Sequence, residues 1–226
     1  MRFQQTKHSA TSFDFLNLYC LTSDSLTISH SEQVNVFCKN GVKLIQLRTK
    51  ELSKDEFLEQ AQISVSTCNA FGAKLIINDN VDIAFKSDAH GVHLGRHDMN
   101  PKEARALLGD SKILGTTVHS AAEISPVVVS ESDYIGMGPF RHSKTKSNLS
   151  PILSNSDFSD MIISVHPIPV YLIGGIVLAD MKLNEFLGNA GVAVCSELSC
   201  GESLNIDSII NFAKEAKISR NSSVLN

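Results

Sequence analysis

Three polar side chains at alternate positions close an otherwise apolar run: Gln46, Arg48 and Lys50 follow Val42, Leu44, Ile45 and Leu47 in GVKLIQLRTK (41–50). On an extended chain, side chains two apart share a face. An amide, a guanidinium and an ammonium would then point to one place, and a polyanion such as pyrophosphate would satisfy all three. The competing reading is a strand end whose cations are merely solvated. Farther on, Asn78 and Asp79 follow the apolar AKLII (73–77), and Asp98 follows GVHLG (91–95). Two isolated carboxylates suit Mg²⁺, which prefers oxygen ligands and is often held by one or two carboxylates plus substrate phosphates. Each also has a local explanation, as a turn with capping residues or as an acid at a helix start. Zinc is not expected, because His93 and His97 lie in a strand-and-loop setting rather than on one helical face.

Other polar residues also follow apolar runs. Thr117 and His119 come after KILG (112–115), and Ser143, Thr145 and Lys146 stand in a polar loop after YIGM (134–137). Gly174-Gly175 follows VYLI (170–173), and Ser196 follows GVAV (191–194). Bare backbone N–H groups at a glycine turn make an anion nest. The set thus has room for two anions, a metal-bound diphosphate and a monophosphate.

The elements that must position these groups are short and regularly spaced. Strands are predicted at 16–21, 41–50, 73–77, 91–95, 112–115, 134–137, 170–173 and 191–194. Helical segments are predicted at 31–40, 53–70, 81–87, 102–108, 120–130 (where Pro126 should kink or shorten it), 157–164, 180–187 and 206–217. The strands are continuously apolar rather than alternating, the pattern of a parallel sheet covered on both faces. Eight βα units in 226 residues predict an α/β chain folded as a TIM barrel, whose site lies at the C-terminal ends of the strands. An open doubly wound sheet is the alternative, but the Gly-rich turn expected after its first strand is absent. One domain is expected over 1–226, with a core at about 16–217, a polar N-terminal arm and a loose tail (218–226). The long loop from about 138 to 155 is a candidate lid.

Composition narrows the partners. A net charge of −4 gives no general nucleic-acid or membrane surface. The apolar runs are too short to span a bilayer, and the first residues lack a signal peptide's apolar segment. Five scattered cysteines without CxxC spacing argue against a disulfide framework and for a reducing, cytoplasmic setting. Small molecules are the expected partners, and a homo-oligomer is left open.

In order, QLRTKEL, IINDN, GVHLG-x-x-D, GxGP followed by TK, IGGI and GVAVxS resemble the thiamine phosphate synthase (thiamine-phosphate pyrophosphorylase) family over about residues 17–197. The resemblance implies displacement of pyrophosphate from hydroxymethylpyrimidine diphosphate by a thiazole phosphate nitrogen, giving thiamine phosphate. It implies Gln46, Arg48, Lys50 and Asn78 around the pyrimidine diphosphate, with Mg²⁺ on Asp79 and Asp98. Lys146 would meet the diphosphate, Thr117 would stand where the family usually has serine, and Ser143, Thr145, Gly175 and Ser196 would hold the thiazole phosphate. Arg48, Lys50, Lys146 and Thr117 form the implied catalytic set, with His119 in support. The chain departs from the family's Pro-Thr-Pro-Thr-Lys type loop, reading RHSKTK at 141–146, and 150–160 lacks glycine. Two other readings stay open. One is a thiazole tautomerase-like isomerase using His119 as acid or base. The other is a non-catalytic paralogue that binds thiamine-related phosphates.

Overall fold

Tyrosine on an apolar strand brings a hydroxyl into the core; all three tyrosines of the chain lie inside one barrel, where the Tyr19 and Tyr134 hydroxyls bond to each other at 2.9 Å. The computed structural model describes residues 17–141, 154–183 and 190–223. Its parallel strands are β1 (Leu18–Leu21), β2 (Leu44–Leu47), β3 (Lys74–Asn78), β4 (Gly91–Leu94), β5 (Ile113–Val118), β6 (Tyr134–Met137), β7 (Val170–Ile173) and β8 (Ala190–Val194). They pair in chain order, and β8 returns to β1 through Tyr19↔Ala193, closing a TIM barrel.

Both faces of the strands are buried, for different partners. Leu18, Cys20, Ile45, Leu47, Leu75, Ile77 and Val92 point outward under the helices, against Phe37, Phe57, Phe158 and Phe212. Tyr19, Leu44, Ile76, Ile113, Tyr134, Tyr171 and Ala193 fill the barrel itself. Each fully buried large apolar side chain contributes roughly 1.5–3 kcal/mol. This two-sided burial is what the continuous hydrophobicity encoded. Gly115 makes room for the filling, since a Cβ there would lie 2.0 Å from the Tyr134 ring.

The covering helices are α1 (His30–Lys39), α2 (Lys54–Ala70), α3 (Val81–Lys86), α4 (Pro101–Leu108), α5 (Pro126–Glu131), α6 (Asn155–Val165) and α7 (Ile206–Ser223). Capping boxes Ser29/Glu32, Ser53/Glu56 and Ser154/Asp157 start α1, α2 and α6. No helix among the described residues is long and apolar enough to cross a membrane.

Several local expectations are corrected. The segment expected as one helix over 120–130 is a 3₁₀ turn, Ala121–Glu123, followed by α5. Pro126 cannot donate to a preceding turn, so it sits at the first position of a new helix behind its Ser125 cap. The helix expected over 180–187 begins as a 3₁₀ segment, Leu178–Leu183. The closing helix reaches Ser223 instead of stopping near 217, since no Gly or Pro interrupts it. An unforeseen small hairpin, β9 (Ser199–Cys200) with β10 (Ser203–Leu204), follows β8. The N-terminal arm (1–16) lies outside the described residues, as does most of the proposed lid.

Candidate active site

At the end of β3, Asn78 pairs in register with His93 of β4. Asp79 follows with φ of 62°, its backbone N–H held by the His93 carbonyl at 2.8 Å. Asparagine and aspartate tolerate this left-handed conformation better than most residues, and here it turns the carboxyl toward Asp98. Asp98 in turn is pinned by the Gly95 N–H at 2.6 Å. The Asp79 carboxyl is pushed up to about 6, first by burial, then by its hydrogen bond and charge contact with Asp98; a bond from Asn78 and the charge of Arg48 work the other way. Two carboxyl groups this close must share a proton or a cation. Hard oxygen donors with that shortfall of positive charge fit Mg²⁺. Among the described residues no group of three or more His, Cys, Asp or Glu side chains gathers for a metal, so further ligands would come from water and substrate.

Gln46, Arg48 and Lys50 do not share one strand face as expected, because β2 ends at Leu47. Gln46 points into the barrel and is buried; Arg48 is half-buried and Lys50 exposed, both in the following turn. That turn is shaped by Asp24, whose carboxylate accepts from the Thr49 hydroxyl (2.6 Å), the Lys50 N–H (3.0 Å) and His30 Nε2 (3.0 Å). Burial raises the Asp24 carboxyl, but those three bonds outweigh it and hold it below its ordinary range. His30 also meets the Thr22 hydroxyl at 2.8 Å, and Thr22 receives the Arg48 N–H at 3.0 Å. Thr22, Asp24 and His30 thus fix where Arg48 and Lys50 stand.

Thr117 lies on β5, which continues past the expected stop at 115. Its hydroxyl meets His93 Nε2 at 2.6 Å. His93 Nδ1 meets the Tyr134 hydroxyl at 2.9 Å, Tyr134 meets Tyr19 at 2.9 Å, and Gln46 Nε2 donates to Tyr19 at 2.7 Å. Gln46 and Thr117, the expected substrate contacts, are therefore joined through the barrel. A cavity of about 380 Å³ opens beside Asp98 and Thr117, walled by Leu94, Met99, Pro101 and Val128.

His119 stands at the edge of this region. Its Nδ1 lies 2.6 Å from the Gly138 carbonyl and so carries the proton, and its backbone N–H donates to Glu123. On the far side, Gly174 and Gly175 take φ of 90° and 63°. A Cβ at 175 would lie 2.7 Å from that of Arg141. Arg141 donates to the Gly175 carbonyl at 3.1 Å and pairs through two nitrogens with buried Asp180. Ser196 is exposed at the start of a 3₁₀ turn after β8. Ser143, Thr145 and Lys146 lie outside the described residues.

The profile of the thiamine monophosphate synthase family matches residues 18–198, from the first barrel strand to the turn after the last. The chain belongs to that family. It is 36% identical to the thiamine-phosphate synthase of Bacteroides fragilis over 183 residues, covering 79% of this chain and 90% of that one. The Flavobacterium psychrophilum thiamine-phosphate synthase is 38% identical over 168 residues, 73% of this chain and 82% of its own. Among solved structures, thiamine phosphate pyrophosphorylase from Pyrococcus furiosus superposes with a TM-score of 0.78 at 25% identity, covering 91% of this chain and 97% of its own.

Within this family member, sequence reasoning missed the residues that hold the site rather than form its surface. In the sequence Thr22 and Asp24 are only polar residues that follow an apolar run, and His93 is only one of two histidines in a strand-and-loop setting. A signal was present in Tyr19, Tyr134 and the histidine of GVHL, since most buried side-chain polar atoms are hydrogen-bonded.

Proposed function

We propose that this chain joins hydroxymethylpyrimidine diphosphate to a thiazole phosphate, releasing pyrophosphate and forming thiamine phosphate, with Mg²⁺ on Asp79 and Asp98. The observation that carries this reading is the Asp79–Asp98 pair, with Arg48 close enough to act on the charge of Asp79. In the reaction, the thiazole nitrogen lone pair attacks the pyrimidine methylene carbon. A C–N bond forms, the C–O bond to diphosphate breaks, and the electron pair leaves with the diphosphate. No protein nucleophile and no net proton transfer are needed.

The side chains serve the charge that develops. Arg48 and Lys50 receive the leaving diphosphate, while Gln46, Asn78 and Thr117 orient the pyrimidine. Gly175 and Ser196 hold the thiazole phosphate, with Ser143, Thr145 and Lys146 assigned from the resemblance. Bound Mg²⁺ would neutralise diphosphate oxygens and so improve the leaving group. Preorganised cations here act where charge appears in the transition state, and the Asp24 collar is what preorganises them. This chemistry belongs in a cytoplasmic compartment, where both phosphorylated substrates are retained. The test is direct: purified protein with both substrates and Mg²⁺ should release pyrophosphate and form thiamine phosphate. Absence of product with every divalent cation tried would reject the assignment.

A further inference from the structure

The interior chain Gln46–Tyr19–Tyr134–His93–Thr117 joins residues of five strands by four hydrogen bonds of 2.6 to 2.9 Å. Tyr19 and Tyr134 are fully or almost fully buried, and Gln46 and His93 are buried. The packing that supports the chain is tight. The Tyr134 and His93 rings stack with centroids 5.5 Å apart, and a Cβ at Gly136 would stand 3.3 Å from both His93 Cε1 and Thr117 Oγ1. Both phenols have their pKa raised by burial, so each keeps its hydrogen and can pass it in one direction only.

We propose that Tyr19, Tyr134 and His93 are positioning residues that couple the hydrogen-bonding polarity of Gln46 to that of Thr117. The coupling follows from counting hydrogens. Gln46 donates its amide hydrogen to Tyr19. With one hydrogen in each link, Tyr19 then donates to Tyr134, Tyr134 donates to His93 Nδ1, and His93 carries its proton on Nε2 and donates to Thr117. The Thr117 hydrogen is left for the substrate ring proposed above, while Gln46 offers that ring a carbonyl oxygen and its second N–H. Turning the Gln46 amide over reverses every link. His93 is then protonated on Nδ1, Thr117 spends its hydrogen on Nε2, and only its lone pairs face the pocket. The two ends are therefore set together, and a heteroaromatic ring is accepted only if its donors and acceptors match both. Donor–acceptor matching of this kind discriminates strongly, because a mismatch leaves buried polar groups unpaired.

This inference rests on Gln46 and Thr117 being the substrate contacts proposed above, but its test does not require turnover. In full-length protein labelled with ¹⁵N-histidine, the His93 ring signals are identified by their loss in His93→Gln. The wild type should show the proton on Nε2. In Gln46→Glu, studied at about pH 8 where a carboxylate only accepts, the proton should move to Nδ1. It should stay on Nε2 in Gln46→Glu/Tyr134→Phe, where the middle link is cut. The same protonated nitrogen in the wild type and in Gln46→Glu overturns the coupling, whether or not the enzyme makes thiamine phosphate. If Gln46→Glu fails to fold, Tyr19→Phe replaces it: release from Gln46 should populate both tautomers, and an unchanged single tautomer overturns the proposal. In turnover assays, Tyr134→Phe should raise KM for the pyrimidine diphosphate roughly fivefold to tenfold while kcat changes less than about threefold. An equal fall in kcat with unchanged KM would also count against it.

Discussion

The carboxyl of Asp79 at the end of β3 faces that of Asp98 in the turn after β4, and burial together with this contact pushes the Asp79 carboxyl up to about 6, so below that pH the pair holds one proton. Asp79 keeps its proton up to about pH 6 in the fold, against 3.8 for an unperturbed aspartate. Between those values the native chain binds more protons than the unfolded one, so this contribution to stability is full below about 3.8 and is lost as pH rises through 6. Asp79→Asn should remove that pH dependence, read as Tm against pH in metal-free protein. Mg²⁺ bound as proposed would have to displace the proton, so its affinity should weaken by up to about tenfold per pH unit below 6. Calorimetry in a pH series checks this, with Asp79→Asn expected to abolish binding.

Asp24 touches no proposed substrate, yet it holds Thr49, Lys50 and His30 at once. Asp24→Ala should free the turn carrying Arg48 and Lys50. The expected result is a rise of about tenfold in KM for the diphosphate substrate, the scale of one misaligned charged hydrogen bond, with a much smaller change for the thiazole phosphate. Steady-state kinetics with each substrate varied in turn would show the asymmetry.

Stability should respond most at the opposite end of the barrel. Arg105 from α4 donates to the carbonyls of Lys112 (2.6 Å) and Glu131 (2.8 Å) and to Asp133 (2.8 Å), and Asp133 also takes the Leu114 N–H at 2.8 Å. Both charged side chains are largely buried, at 10% and 13% exposure. Arg105→Ala removes the donor from three carbonyls, those of Gly109, Lys112 and Glu131, leaves Asp133 with only the Leu114 N–H, and should cost about 3–5 kcal/mol. Denaturant unfolding measures this, and kcat of the folded fraction should stay unchanged.

Gly115→Ala asks whether the interior packing has slack. The added carbon would meet the Tyr134 ring at 2.0 Å, so either Tyr134 moves and breaks the interior chain or the strands separate. We expect a loss of at least about 2 kcal/mol, seen as a lowered Tm together with a raised KM for the pyrimidine substrate.

His119 separates the two enzymatic readings. Its Nδ1 proton is committed to Gly138, which suits a residue that braces β5 against β6. His119→Ala should lower synthase turnover by less than about tenfold, whereas loss of a general acid or base typically costs 10²–10⁴-fold. Metal-independent isomerisation of a thiazole carboxylate phosphate, abolished in this variant, would instead favour the tautomerase reading.

What the sequence by itself determined is the order of the strands and the polar residues that follow them. Continuous apolar runs such as AKLII and VYLI, punctuated by Ser53, Pro101 and Gly174, are local signals, and local sterics and burial suffice to read them. The same locality explains the errors. Nothing in GVKLIQLRTK announces that β2 stops at Leu47, because the stop is made by Thr22 and Asp24 from another strand end. Nor does the spacing of Tyr19, Gln46, His93, Thr117 and Tyr134 along the chain announce their contact, since Tyr19 and Tyr134 are 115 residues apart. Only barrel closure brings such residues within hydrogen-bond reach. The tertiary structure therefore decided which polar atoms are partners, and with that the burial and the Asp98 contact that push the Asp79 carboxyl up.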